Sequence, residues 1–268
     1  MNTNPDIHLE MQGNVAVVRL TRPTKRNALN DGLIASLRHI FENLPKEARA
    51  AVVAGEGEHF CAGLDLSELK ERDAGEGVYH SRSWHVALDR VQSGPVPVIA
   101  ALHGAVVGGG LELASACHIR VADESTFYAL PEGTRGIFVG GGGAVRIPRL
   151  IGVARMTDMM LTGRVYNAQD GERIGMAQYL VPTGTAFEKA SKYSKRILVE
   201  KHAEGADYRL DIFNGELLWV VERIPASVTG DGKSSVAALV AGGLWIAVGP
   251  GLPFVGPRCG FKIGRAHV

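Results

Sequence analysis

Cysteine is scarce in this chain of 268 residues, which contains only Cys61, Cys117 and Cys259. The three are far apart in the sequence, and none belongs to a C-x-x-C pattern. An odd number of isolated cysteines argues against both a disulfide framework and a zinc site. We therefore expect three reduced thiols and no bound metal.

The chain also lacks an excess of either charge. It has 29 basic and 28 acidic residues, which give a formal net charge of +1. Such a chain has no overall field that would attract a phosphate polymer, so the composition predicts no nucleic-acid partner. Its hydrophobic share of 46% is ample for a sizeable core at this length.

Long apolar runs are missing as well. Residues 96–102 are too few to span a bilayer, and the glycine-rich residues 236–255 are interrupted by Pro250 and Pro253. Residues 1–11 lack the basic and then apolar regions of a secretory signal. The sequence thus predicts no membrane partner and a cytoplasmic location.

Short β-branched runs alternate with segments of helical periodicity. Asn30 or Asp31 is available as the N-cap of the first helical segment. The predicted strands are residues 15–20, 50–54, 95–102 and 118–122, and the predicted helices are residues 31–44, 112–118 and 153–161. This alternation predicts an α/β core.

A glycine run leads into an apolar helix at Gly108-Gly-Gly-Leu-Glu-Leu-Ala114. Glycine lets a ligand approach the backbone closely, and a helix start offers unpaired N–H groups that favour an oxyanion. The alternative is a tight turn that packs the helix on a sheet. The run matches neither the G-x-G-x-x-G dinucleotide pattern nor a P-loop, so NAD and ATP sites are not expected.

Two glutamates are the candidate proton-transfer groups. Glu112 lies one turn into the apolar helix, where desolvation would raise its pKa, although it could instead only complement the helix dipole. Glu132 lies in Leu130-Pro-Glu-Gly133, a pattern that is also typical of a solvated turn. Together the two carboxylates could converge on one water molecule. Backbone N–H groups of Phe60-Cys-Ala-Gly-Leu-Asp-Leu66 could supply a second part of an oxyanion hole.

These segments occur in the order and spacing of the crotonase superfamily, and they closely resemble its enoyl-CoA hydratases. The matching motifs are Arg22-Pro-Thr-Lys-Arg-Asn-Ala-Leu-Asn30, Phe60-Cys-Ala-Gly-Leu-Asp-Leu66, His103-Gly-Ala-Val-Val-Gly-Gly-Gly-Leu-Glu-Leu-Ala114, residues 127–136 and Leu161-Thr-Gly-Arg164. The resemblance covers residues 8 to 197. It implies a crotonase-like spiral of ββα units in an acyl-CoA-binding catalytic core over residues 1–197.

The resemblance also implies how a thioester would be bound and hydrated. The N–H groups of Leu64 and Gly109 would polarise the thioester carbonyl, Glu112 and Glu132 would hold the water, and the amide of Gly140 would lie near it. The implied substrate-binding residues are Lys25, Ala28, Ala62, Leu64, Asp65, Leu66, Ser67 and Gly109. Coenzyme A is part of the substrate, so no separate cofactor is expected.

Residues 198–268 depart from the family pattern. The glycine- and proline-rich stretch lacks the helical C-terminal subdomain of the family, and Lys262-Ile-Gly-Arg-Ala-His-Val268 resembles a translated sequencing adapter after an out-of-frame segment. We expect an atypical tail there. The resemblance implies a homotrimer or a dimer of trimers, provided that the tail permits it.

The leading hypothesis is hydration of a 2-enoyl-CoA to the 3-hydroxyacyl-CoA. An enoyl-CoA isomerase or a hydratase-lyase on the same fold is the nearest alternative, and two retained glutamates favour water chemistry over isomerisation. A catalytically inactive crotonase-like binding protein is the alternative from another class. The near-zero net charge disfavours RNA as the ligand of such a protein.

Overall fold

The run Val15–Leu20 forms a strand that is covered on both faces. Ala16 and Val18 pack into one hydrophobic cluster, whereas Val15 and Val17 pack into another. Successive side chains of a strand point to opposite faces, so an uninterrupted apolar run fits a strand between two layers. The sheet to which this strand belongs is therefore the middle layer of its unit.

The computed structural model describes residues 4–68, 71, 73–194, 207–213, 216–223 and 263–264. The chain divides into two units, Met1–Val199 and Glu200–Val268. The larger unit has the mixed α/β architecture that the sequence predicts. None of the described helices is long and apolar enough to cross a membrane.

The main sheet of the larger unit has six strands in the order β1-β2-β3-β4-β6-β9. β1 runs antiparallel to β2, and the other neighbours are parallel. These strands are β1 Ile7–Gln12, β2 Val15–Leu20, β3 Ala50–Gly55, β4 Val98–Leu102, β6 Ile119–Asp123 and β9 Tyr179–Val181. A small second sheet, which supports the candidate site, contains β5 Ala105–Val107, β7 Phe127–Ala129 and β8 Tyr166–Asn167.

Seven helices are described in the larger unit. They are α1 Asp31–Glu42, α2 Ala74–Gln92, α3 Gly109–Ala116, α4 Gly143–Ile151, α5 Val153–Thr162, α6 Ala168–Ile174 and α7 Ala186–Ser194. Ala186 and Ala190 of α7 pack with the cluster on one face of the main sheet. The apolar sides of α1, α2 and α3 belong to the larger cluster on the other face.

Polar side chains fix the starts of α1 and α2. The Asn30 carboxamide accepts the N–H of Leu33 at 2.7 Å, which confirms the predicted N-cap. α2 begins with a capping box, in which Asp73 and Glu76 each accept the other's backbone N–H. α2 was not predicted, because only part of one side is apolar, with Trp84 among the few buried residues.

The strand predicted over residues 15–20 has the predicted ends, and the other predicted elements of the larger unit are present with shifted ends. The strand predicted from residue 95 begins at Val98, since Pro95 and Pro97 have no N–H to donate to a neighbouring strand. The helix predicted from Glu112 begins three residues earlier, directly in the glycine run. Cys61 and Cys117 are free and buried, and Cys259 lies outside the described residues.

The smaller unit contains three described strands. β10 Asp207–Phe213 and β11 Glu216–Arg223 are antiparallel, with a register shift between Asp211 and Ile212. β12 Ile263–Gly264 pairs antiparallel with β11. The predicted atypical tail otherwise lies outside the described residues and stays a prediction.

Candidate active site

Two backbone N–H groups, those of Leu64 and Gly109, lie side by side where two loops meet. A β-carbon built on Gly109 would stand 3.6 Å from the Leu64 nitrogen, and one built on Gly63 would stand 3.2 Å from the Gly109 nitrogen. Within the described part of the chain, neither N–H donates a hydrogen bond. Both are therefore free for a ligand oxygen.

The loop before α2 is held to its neighbours on both sides. Leu29 donates its N–H to Gly63 at 2.7 Å, and Asp65 donates to Leu29 at 2.8 Å. Cys61 forms a parallel bridge with Val106 of β5. Gly63 has φ +92° and lies against the Gly109 backbone, so this approach requires glycine. The two N–H groups thus belong to a braced backbone.

Glu112 is buried in α3, with 3% of its surface exposed. Its Oε1 accepts the N–H groups of Gly141 and Gly143, each at 2.8 Å. No hydrogen bond from a described residue reaches Oε2. Burial raises the pKa of Glu112 to about 7, which the two glycine N–H groups and the Arg146 charge oppose and the Glu132 charge reinforces. This carboxylate can exchange protons near neutral pH.

The glycine loop before α4 is held by Arg146. The Arg146 Nη1 donates to the carbonyl of Gly141 at 2.9 Å, and its Nε donates to Gln92 Oε1 at 2.6 Å. Its Nη2 also pairs with Asp89 of α2. One buried guanidinium thus connects the loop that binds Glu112 with the end of α2.

Glu132 follows β7 and Pro131 and is 5% exposed. Its carboxylate lies against Gly108, which has φ +54°, and its buried Oε2 has no hydrogen-bond partner among the residues that the structure describes. Burial raises the pKa of Glu132, an effect that its own backbone N–H and the Arg135 charge oppose. An unpartnered buried carboxyl oxygen is costly, and such an atom is commonly reserved for a ligand or water.

A cavity of about 910 Å³ joins these groups. It is lined by all five predicted catalytic residues, Leu64, Gly109, Glu112, Glu132 and Gly140. One wall is formed by α2, through residues that include Val78, Ser81, Trp84, His85 and Asp89. The sequence therefore identified residues that the fold brings to one place.

Gly140 lines the cavity, and the position of its amide near the reacting water stays a prediction. Its carbonyl accepts the Ser81 hydroxyl at 3.0 Å, whereas the amides of Gly141 and Gly143 bind Glu112. The sequence did not single out these two amides, because four successive glycines give no indication of which N–H points inward. Gly142, at φ +94°, lies between them and turns the backbone.

The predicted coenzyme A segment is divided between exposed and buried positions. Lys25, Leu66 and Ser67 are exposed, Ala62 is half-buried and Ala28 is buried. Except for Leu64 and Gly109, the predicted substrate-binding residues do not line the cavity. Contact of the others with coenzyme A stays a prediction.

Asp65 is buried and serves the loop itself. Its carboxylate accepts the Ser67 hydroxyl at 2.6 Å and pairs with Arg22 Nη2 at 2.8 Å. The Ser67 hydroxyl is the main cause that lowers the pKa of Asp65 to about 2, with the Ser67 N–H, Arg22 and Lys25 acting in the same direction. Asp65 therefore remains ionised and ties the loop to the segment that contains Arg22.

Asn27 is a structural residue that the sequence analysis missed. It is fully buried at φ +55°, accepts the Arg22 N–H at 2.9 Å, and donates to the carbonyls of Glu56 and His59 at 2.9 and 2.7 Å. Asparagine tolerates this backbone region better than most residues. Its place in the Arg22–Asn30 motif was the one sequence feature that pointed to a role for Asn27.

The described residues contain no cluster of acidic, histidine or cysteine side chains that could hold a metal.

The chain resembles one family of known proteins. The family described as Enoyl-CoA hydratase/isomerase matches residues 10–208. YngF of Bacillus subtilis (strain 168), provisionally named an enoyl-CoA hydratase/isomerase, is 36% identical over 189 residues, 68% of this chain and 72% of that protein. A provisionally named mitochondrial enoyl-CoA hydratase 2 of Arabidopsis thaliana is 34% identical over 67% of this chain, which spans 61% of that protein.

The fold is shared with solved structures. A provisionally named enoyl-CoA hydratase from Rhodopseudomonas palustris CGA009 is 59% identical, with a TM-score of 0.71 over 72% of this chain and 75% of that one. The family match and these relatives cover the motifs that build the cavity. The chain belongs to the enoyl-CoA hydratase/isomerase family of the crotonase superfamily.

Proposed function

We propose that the chain hydrates a 2-enoyl-CoA thioester to the 3-hydroxyacyl-CoA. The observation that carries the proposal is the placement of two buried carboxylates, Glu112 and Glu132, in one cavity with two unpaired backbone N–H groups. Water chemistry needs one group to remove a proton and another to supply one. A second carboxyl group in the cavity supports hydration over isomerisation, for which one shuttling carboxylate suffices.

The thioester carbonyl oxygen would accept the N–H groups of Leu64 and Gly109. Addition at the β-carbon places negative charge on this oxygen, so both donors act more strongly in the transition state than in the ground state. One such donor contributes about 2.7 to 4 kcal/mol to lowering a barrier. Gly109 also begins α3, whose dipole favours negative charge at this end.

The proton transfers assign different tasks to the carboxyl groups. Glu112 in its ionised form removes a proton from water as the water oxygen bonds to the β-carbon. Electrons of the double bond move through the α-carbon to the thioester oxygen, and the α-carbon then takes a proton from neutral Glu132. The substrate gains H and OH, and the two glutamates regain their starting forms by exchanging one proton.

The raised pKa values suit these tasks. A pKa near 7 leaves Glu112 partly ionised at neutral pH and able to act as a base. Burial favours the neutral form of Glu132, which is the form that donates. Coenzyme A would extend along the segment from Lys25 to Ala28, which has exposed cations at Lys25 and Arg26, and along the loop from Ala62 to Ser67.

A hydration assay with a labelled solvent tests the proposal. The chain is incubated with crotonyl-CoA and with longer and aromatic 2-enoyl-CoA esters in H₂¹⁸O, and the products are analysed by mass spectrometry. We expect 3-hydroxyacyl-CoA with one ¹⁸O. Conversion of 3-enoyl-CoA to 2-enoyl-CoA without hydration would instead identify an isomerase, and binding without turnover would identify an inactive relative.

The assembly and the location are proposals too. We propose a homotrimer or a dimer of trimers in the cytoplasm, on the resemblance to the family. Light scattering after gel filtration measures the mass directly, and a monomer of 28.6 kDa would reject the assembly.

A further inference from the structure

Arg146 is a buried cation that contacts the glycine loop of the cavity, and the proposed reaction gives it no task. Its side chain is 8% exposed, yet its carboxylate partner Asp89 has a side chain that is 61% exposed. A buried guanidinium needs several acceptors to offset its desolvation. Arg146 has three, on Gly141, Gln92 and Asp89, which lie on two different elements.

These contacts connect Arg146 to the carboxylate of Glu112 through a single residue, Gly141. Gly141 donates its N–H to Glu112 Oε1 at 2.8 Å and accepts Arg146 Nη1 through its carbonyl at 2.9 Å. The second N–H on Oε1 comes from Gly143, in the first turn of the helix that contains Arg146. The two amides that orient the Glu112 carboxylate therefore belong to the glycine loop and to the first turn of α4, and Arg146 holds both in place.

We propose that Arg146 is a positioning residue, which ties the glycine loop before α4 to the end of α2 and thereby aims Glu112 Oε2 at the reacting water. Four successive glycines have the largest backbone entropy to lose on ordering, so this loop requires an external restraint. The planar fork of arginine spans the three acceptors, which the single ammonium of lysine cannot do. The inference rests on the proposed hydration.

The charges around Glu112 determine the direction of the expected change. Glu132 faces it from the loop after β7, and Arg146 faces it from α4. His85 and Asp89 of α2 line the same cavity, and Arg135 acts on Glu132. Loss of the Arg146 cation, together with looser glycine amides, removes two influences that favour ionised Glu112. The pKa of Glu112 then rises further above its usual value.

The test compares R146Q, R146K and the control R149Q. Arg149 is exposed on the same helix, outside the cavity lining. We expect R146Q to shift the acidic limb of the pH profile of kcat/KM upward by about one pH unit and to lower kcat at neutral pH. R146K retains the charge and should shift the limb less while still losing kcat. R149Q should match the unmodified chain.

A second readout does not depend on turnover. Carbon-13 NMR titration of the glutamate carboxyl groups, with the Glu112 signal assigned by its loss in E112Q, measures the pKa of Glu112 itself. An unchanged pKa and an unchanged pH profile in folded R146Q would overturn the inference. If R146Q does not fold, the same pair of measurements on R146K decides the question. If the unmodified chain hydrates no enoyl-CoA, the proposed hydration fails, while the titration still tests whether Arg146 controls Glu112.

Discussion

The carboxylate of Glu132 lies in the space that a side chain on Gly108 would occupy. A β-carbon built on Gly108 would come within 2.7 Å of Glu132 Oε1. Gly108 has φ +54° and ψ −122°, a backbone conformation that strains any residue with a β-carbon. The absence of a side chain at this position therefore lets the second carboxylate reach the cavity.

Gly108→Ala should lower kcat by about 100-fold, because it displaces Glu132 and strains the turn before Gly109. Gly13→Ala is the matched control, since Gly13 has φ +63° but open space around its α-carbon. The control also places alanine at a positive φ, but without displacing a neighbouring side chain. Steady-state hydration kinetics of both variants check the prediction. Equal kcat in the two would show that Glu132 accommodates the methyl group.

Glu112→Gln and Glu132→Gln should each lower kcat by about 100-fold or more. Each change removes a proton-transfer group and leaves the N–H groups of Leu64 and Gly109 in place. We therefore expect the Kd of a non-reactive acyl-CoA, measured by calorimetry, to change little. Full hydration by either variant would reject the two-glutamate mechanism.

The pKa of Glu112 also predicts how stability depends on pH. The pKa is raised from 4.5 to about 7, so the folded chain holds this proton over a range in which the unfolded chain releases it. The contribution of Glu112 to the free energy of unfolding is therefore lost as pH rises from about 4.5 to about 7, and it does not change further at higher pH. Gln at position 112 has no charge to desolvate.

Glu112→Gln should therefore unfold at higher urea concentration than the unmodified chain at pH 8, with a gain in the free energy of unfolding of up to about 3 kcal/mol. At pH 4 the two chains should be nearly equal. Urea titrations at both values provide the measurement. A variant that is less stable at pH 8 would show that ionised Glu112 is not disfavoured in the fold.

Asn27→Ala should cost about 3 kcal/mol or more of stability. It leaves the Arg22 N–H and two backbone carbonyls without partners, and a buried unpaired group costs about 1 to 3 kcal/mol. Asn43→Ala is the control, because Asn43 is exposed and its side chain donates to one carbonyl, that of His39. Thermal unfolding of the two variants compares the losses, and equal losses would contradict the prediction.

Lys25→Ala should raise KM for the acyl-CoA several-fold without changing kcat, because Lys25 would bind ground state and transition state alike. The effect should shrink at high salt, which screens an exposed charge. Lys46→Ala is the control at another exposed position. An unchanged KM at low salt would remove Lys25 from the coenzyme A site.

The sequence predicted what depends on residue type and order. Strand β2 follows from an apolar run buried on both faces, and the Asn30 cap follows from the residue that precedes a helical period. Glu112 was found as a carboxylate in an apolar helix after a glycine run, and Glu132 was found through its pairing with Glu112 and through the family motif. The amides of Gly141 and Gly143 depend on backbone rotation, which a run of identical residues does not encode.

The contacts between Arg146 and helix α2 could not be predicted from the sequence either. Arg146 reads as one basic residue in a short helix, and only the fold places Asp89 and Gln92 of α2 beside it. Helix α2 itself was missed because its buried residues are confined to its second half, from Trp84 to Val91, while its first half has no buried residue and contains two glycines. The register of α2 depends on packing against α1 and α3, which the local sequence does not specify.

The two carboxyl oxygens of Glu112 differ in their hydrogen bonds, and this difference bears on the stereochemistry of the product of the proposed reaction. Two N–H groups occupy Oε1 and fix the plane of the carboxyl group, so Oε2 is the oxygen left to orient a water molecule. In the proposed hydration, a planar enoyl group whose carbonyl is held by Leu64 and Gly109 would present one of its two faces to that oxygen. The hydroxyl group is then delivered to that face alone, and the 3-hydroxyacyl product is expected as a single enantiomer.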